Sequence, residues 1–193
     1  MEKWIKLTSL SGDPLTSDMS KSAGLCIPAL SIPLFAQAIK HIPTHRIVTG
    51  LLFHPDKRRP LIFLAAKLLS AHRFLRIPKV SKLVMDSRHA MTKHLLNLEG
   101  QLQGSPWLAG RSYSLADLTW ACTLLRLEET GWLEYYCKEL ELVAIPKYYD
   151  RLKREKNWYP AIDSVQSPTI IKATKALKYA LENDKRLSSL LYS

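Results

Sequence analysis

Hydrophobic residues along this chain recur at helical spacing and nowhere alternate as a strand requires. In 81–102, Val84, Met91, Leu95, Leu98 and Leu102 form one stripe, with Lys93, Asn97 and Gln101 off it, the period of an amphipathic helix. In 61–77, Leu64, Leu68, Ala71 and Leu75 repeat that spacing until Pro78 closes or kinks the segment. A helix over 115–130 is apolar nearly all round until Arg126, which marks it as the central buried one. Shorter helices are predicted over 133–143, over 147–156 with Pro146 at the first position, and over 169–187 behind Ser167-Pro168. Residues 1–22 predict a short helix around Trp4 and then a loop, and 25–41 predict buried helical turns broken by Pro28 and Pro33. Pro43, Gly50, Pro55 and Pro60 predict a loop with short turns over 42–60. The expected fold is all-α, a helical bundle without strands or repeats. Its expected organisation is 1–80, an N-terminal helix and an extended basic connection, followed by 81–193, one continuous core bundle.

The sharpest local signal is Ser114-Leu115-Ala116-Asp117. Ser114 at the N-cap and Asp117 three residues on can satisfy each other's backbone N–H, with Tyr113 and Leu118 placed as a hydrophobic staple. Asp is shorter than the usual Glu, so the pair needs support from its surroundings.

Composition narrows the class. Among 193 residues, 47% are hydrophobic and 23% charged, enough to bury a core. Cys26, Cys122 and Cys137 make an odd set without metal-ligand spacing, which fits a reducing, cytoplasmic setting. The opening Met-Glu-Lys-Trp-Ile-Lys does not look like a signal peptide. The longest apolar stretch, 23–39, is interrupted by prolines and falls short of the roughly 20 residues a spanning helix needs, so a soluble chain is expected.

Charge changes the picture more. Residues 40–94 hold twelve Lys/Arg against Asp56 and Asp86, while 95–145 hold three against seven acids. A basic block can face nucleic acid, an anionic membrane or a small anion, and most simply it is a solvated helical face. Only Phe53, Phe63 and Phe74 interleave with it and no groove-reading motif is present, so no nucleic-acid partner is expected. Treated as one helix, 61–79 scatters Lys67, Arg73, Arg76 and Lys79 around its wheel, which favours a core helix with basic ends over a membrane-surface one. Lys172, Lys175 and Lys178 read as a solvated stripe.

Candidate chemistry is sparse. Asp117 is better explained as a cap than as a catalytic carboxylate, and the cysteines as packing groups. Pro43 separates His41 from His45, and His89 and His94 point to different faces, so no metal site emerges. His54-Pro55-Asp56 before Lys57 reproduces the tripeptide of J-domain co-chaperones without the Tyr- and Lys-rich helix that should precede it. No phosphate-cradling glycine loop occurs.

Trp107-Leu-Ala-Gly-Arg-Ser-Tyr-Ser-Leu-Ala-Asp-Leu, together with Leu95, Leu98-Glu99, Leu102 and the later Tyr148-Tyr-Asp-Arg-Leu-Lys-Arg, resembles the C-terminal helical domain of the glutathione transferases. Leu124-Leu-Arg-Leu-Glu-Glu-Thr-Gly and the long segment before residue 81 look most like the ganglioside-induced differentiation-associated subgroup. The resemblance covers 81–162. It implies a helical bundle without the thioredoxin-like N-terminal domain, which in that family carries most glutathione contacts and the catalytic Tyr, Ser or Cys. Ile27-Pro28-Ala29-Leu30 imitates that domain's cis-Pro turn, but no acid-Ser pair follows it. The implied role is a C-terminal domain that contributes an apolar co-substrate pocket, with Trp4 and Trp120 as its borders. It would not be catalytic alone, with glutathione as the co-substrate and the missing half in a separate chain or a homodimer. The other reading is a non-catalytic helical module that binds a partner protein or an anionic surface.

Overall fold

The computed structural model describes residues 1–10, 17–56 and 58–192, apart from the side chains of Arg58 and Arg59. Its helices are α1 Glu2–Thr8, α2 Ala23–Leu30, α3 Ile32–Ala38, α4 Thr44–Phe53, α5 Arg58–Leu68, α6 Ala71–Leu75, α7 Pro78–Gly104, α8 Leu115–Glu129, α9 Trp132–Glu139, α10 Ala144–Lys153, α11 Trp158–Ala161, α12 Pro168–Asn183 and α13 Lys185–Tyr192. Short 3-10 turns lie at Met19–Lys21, Ile39–His41 and Asp163–Val165. Among the described residues, an isolated bridge between Trp107 and Gly110 is the nearest approach to a sheet. The fold is all-α, as the periodicity predicts. Part of the loop expected within 1–22, residues 11–16, lies outside the described residues.

The chain divides differently from the expected 1–80 and 81–193. One unit joins Met1–Ser31 to Leu83–Gln166, and the other joins Ile32–Lys82 to Ser167–Ser193. Packing explains the exchange: α1 and α2 lie on α8, whereas α12 lies on α3 and α13 on α6.

In the first unit α8 is the axis, packed by α1, α2, α9 and α10. Leu124, Leu127, Trp120 and Ala116 are fully enclosed, which is why this helix shows so little amphipathic contrast. Backbones come close where α2 starts. A Cβ on Gly24 would lie 2.3 Å from the Thr8 carbonyl oxygen, so glycine is required. The Ser22 hydroxyl reaches the carbonyls of Leu7 and Ser9 at 2.9 and 2.8 Å and accepts the Gly24 N–H, capping α2 while tying it to the end of α1.

The second unit is built on α3 against α12, with α6, α13 and the α4–α5 pair around them. Phe35 and Phe63 meet at 5.0 Å, and Phe74 and Leu75 are buried. Lys67 donates to the carbonyls of Ile39, Lys40 and Ile42 at 3.4, 3.1 and 2.6 Å, placing a cation where a helical turn leaves its carbonyls unpaired.

Several boundaries differ from expectation. Residues 44–53 form a helix where turns were expected: Gly50 is tolerated inside it and α4 packs along α5, which outweighs the local punctuation. The 61–77 helix is two, split at Leu69-Ser70. Pro78 opens α7 instead of closing the helix before it, as suits a residue without an N–H. The last helix breaks at Asp184, whose carboxylate accepts the N–H of Arg186 and of Leu187 and so starts α13. The stretch Ala23–His41 is long and apolar enough to cross a membrane by length and composition, and 67% of it is buried.

Candidate functional site

The first unit concentrates its buried polar groups around Asp117, at the N-terminus of α8. The preceding turn is rigid: Trp107 and Gly110 exchange N–H···O bonds at 3.2 Å, and the Ser105 hydroxyl reaches the Gly110 carbonyl at 2.6 Å. Gly110 has φ +114°, a conformation that excludes a side chain. This turn aims the Leu108 N–H at Asp117 Oδ1, 2.9 Å away. The Tyr148 hydroxyl donates to the same oxygen at 2.9 Å, and the Ser114 N–H and hydroxyl donate to Oδ2 at 2.8 and 2.7 Å. Ser114 and Asp117 close the reciprocal capping box. Asp117 is completely buried, and four donors fill its acceptor positions. Tyr113 and Leu118 are each under half exposed, and the Tyr113 ring stands edge-on to Trp107 at 5.3 Å.

Glu99 does for α10 what Asp117 does for α8, from another helix. Its buried carboxylate accepts the N–H groups of Val143, Ala144 and Ile145 at 2.9, 2.7 and 2.9 Å, three orphan donors of one helix start. Beside it lies an open cleft of about 360 Å³ whose lining includes Lys147, Tyr148 and Arg151. Arg151 donates to the Pro106 carbonyl and lies 5.3 Å over the Trp107 ring, so its guanidinium is already engaged. Of the two cations at this cleft, Lys147 is the exposed one. Sequence reasoning missed Glu99, because its partners lie 44–46 residues away.

Trp4 and Trp120, expected to border an apolar pocket, meet edge to face at 6.2 Å and are 6% and 0% exposed, packing α1 on α8.

Burial holds several tyrosines and two cysteines in their neutral forms. Burial first, and then the Asp117 charge, push the Tyr148 phenol well above the usual range. Burial and Glu128 do the same to Tyr149, and burial to Tyr136. The more exposed Tyr113 also shifts upward, from partial burial and then Asp117. Burial pushes the Cys26 thiol up to about 12 and also raises Cys137. None of these groups is poised as a nucleophile or a proton acceptor at neutral pH. Cys122 is exposed.

The histidines stay apart. His94 is buried against the Met19 carbonyl at 3.0 Å, whereas His41, His45 and His89 are exposed. Among the described residues no three His, Cys, Asp or Glu side chains converge on a metal position. His54 Nδ1 accepts the Asp56 N–H at 3.0 Å, a local turn, and Lys57 of that motif lies outside the described residues. Ile27-Pro28-Ala29-Leu30 is part of α2, and no described peptide bond is cis.

Comparison with known proteins agrees with this architecture. A family model described as "Glutathione S-transferase, C-terminal domain" matches residues 45–153, more than half of the chain. The tetrachloro-p-hydroquinone reductive dehalogenase of Sphingobium chlorophenolicum is 31% identical over 71 residues, 37% of this chain and 27% of that protein. The chain thus spans about a quarter of that relative's length. No solved structure matches significantly.

Proposed function

The chain belongs to the glutathione S-transferase C-terminal domain family, and on that premise we propose that it is the helical, non-catalytic half of a glutathione-transferase-like protein. The observation that carries this reading is the structural engagement of Asp117 and Glu99. Asp117 holds four donors and Glu99 three, all from the chain's own backbone and side chains. Both carboxylates order helix starts; Asp117, with four donors, has no lone pair left to take a substrate proton, and Glu99 keeps only one, on the Oε2 that already accepts the Ile145 N–H.

Glutathione is the co-substrate of the assembled protein, and a thioredoxin-like domain outside this chain, or in a dimer partner, supplies the thiol-activating group. The helical half contributes framework and flanking apolar surface. Three free cysteines, with Cys122 exposed, support a reducing cytoplasmic setting. The interposition of α5 and α6 between α4 and α7 supports a place near the ganglioside-induced differentiation-associated subgroup.

Two measurements on the purified chain test this. Calorimetric titration with glutathione at about 0.15 M salt, where weak anion attraction to a basic protein is screened, is expected to show no saturable heat. An electrophile-conjugation assay is expected to show no rate above the uncatalysed one. Saturable binding together with conjugation by the chain alone would overturn the reading.

A further inference from the structure

The α4–α5 hairpin of the second unit buries little and exposes much. Of its 25 positions, 44–68, the described core includes only Ile47, Pro60 and Ala66. Val48, Leu52, Phe53, Leu61, Ile62 and Leu68 face outward, with Phe53 at 80%, Leu68 at 74% and Leu52 at 69% exposed. These six are over a third of the 17 large exposed apolar side chains, in an eighth of the chain. On α4, Val48 and Leu52 are four apart; on α5, Leu61 and Leu68 are seven apart, so each helix carries an ordered outward stripe. Scattered exposed apolar residues need no explanation, but a patch this concentrated does.

The surrounding charge says what covers it. Between Asp18 and Asp86 the sequence has Asp56 as its one acid. Lys40 before α4 and Arg46 within it are exposed, and the sequence adds Lys57 between the helices and Arg58 and Arg59 at the start of α5. The unit as a whole has 15 Lys/Arg against 3 Asp/Glu, a net +12. A second copy meeting this face with its own would bring like charge to like. An apolar interior bordered by dense negative charge matches both features, which is the profile of an anionic bilayer. The earlier objection, that the basic groups of 61–79 scatter around one wheel, falls away because that segment is two separate helices.

We propose that the α4–α5 hairpin is a membrane-surface element. It lies in the headgroup layer of an anionic lipid bilayer, with Leu52, Phe53, Leu61 and Leu68 in the acyl boundary. The proposal is independent of where glutathione binds.

The test is co-sedimentation of the whole chain with vesicles of phosphatidylcholine alone, or with about 30% phosphatidylserine, at about 0.15 M salt. Binding to the anionic vesicles at least about tenfold above the neutral ones is expected. The pair Leu52→Glu and Phe53→Glu should lower it by a further factor of about ten or more, with helical signal and melting unchanged because both side chains are exposed. A second pair, Leu61→Glu and Leu68→Glu, should act alike. The proposal is overturned by no binding to the anionic vesicles, or by binding that both pairs leave intact, which means charge alone. It is also overturned by a solution dimer that the same substitutions dissolve, which means a second copy covers the face.

Discussion

The two units are built on different chemistry. The first, Met1–Ser31 with Leu83–Gln166, balances 13 Lys/Arg against 14 Asp/Glu and holds all five tryptophans. The second holds all four phenylalanines and its net charge is +12. Tryptophan and tyrosine bring polar handles into a core, and most of them here find a partner, although the buried Trp120 Nε1 has none among the described residues. Trp132 donates to the Leu30 carbonyl at 2.9 Å, Tyr136 to Arg88 at 3.0 Å, and Tyr149 to Glu128 at 2.8 Å. Directional bonds of this kind define one arrangement, because any other leaves buried groups unpaired. Phenylalanine carries no such demand, so the second unit's core relies more on shape, with Lys67 on three carbonyls as a directional tie, while its surface keeps like charges together. The contrast separates a framework from a surface element.

The contrast is most exposed to failure at Asp117. Asp117→Ala leaves the Leu108 and Ser114 N–H groups and the Tyr148 hydroxyl without their acceptor in a dry site. At about 1–3 kcal/mol per orphaned group, the loss should reach about 4 kcal/mol or more in urea unfolding. Phe74→Leu, a near-volume exchange at a buried site of the second unit, should lose under about 1.5 kcal/mol. Comparable losses from the two would show that the first unit owes no more to directional bonding than the second.

That same network divides what was legible in the sequence from what was not. Asp117 could be read because Ser114 and Asp117 announce a helix start within four residues, and α8 begins and ends within one residue of expectation. The start of α10 was misplaced by three residues for the opposite reason. Pro146 looks like a first helical residue, but Glu99 caps the helix at Val143 from α7, a signal that is not local. The division of the chain was hidden in the same way, since nothing near Trp4 says that it packs on Trp120. Residues 42–60 predict turns because Pro43, Gly50, Pro55 and Pro60 punctuate them, although Gly50 lies inside α4.

Charge in the second unit offers a smaller and opposite effect. Lys175 sits on α12 with Lys172 three residues before and Lys178 three after, all exposed. Lys175→Glu replaces two like-charge neighbours by two opposite-charge ones, at about 0.2–0.5 kcal/mol for each pair. A gain approaching about 1 kcal/mol at low salt, fading as salt is added, is expected in thermal melts. A gain indifferent to salt would mean that self-repulsion is not what the unit carries.

The first unit has its own electrostatic flaw, and it is the smallest of these effects. Glu129 is buried near the end of α8, and that burial raises its carboxyl above the ordinary value, although Arg126 at 2.9 Å opposes the shift. Between the ordinary and the raised value, the folded chain holds a proton that the unfolded chain has released. The stability linked to this group is therefore complete below the ordinary carboxyl value and declines as pH rises through the folded one. Glutamine keeps the shape and the acceptor oxygen without the charge. Glu129→Gln should thus be more stable than the natural chain at pH 7 and lose that advantage below about pH 4, as read from urea midpoints across pH. A variant weaker at pH 7 would mean that the pair with Arg126 outweighs the burial. The balance of charge in the first unit would then be a source of its stability and not only the absence of repulsion.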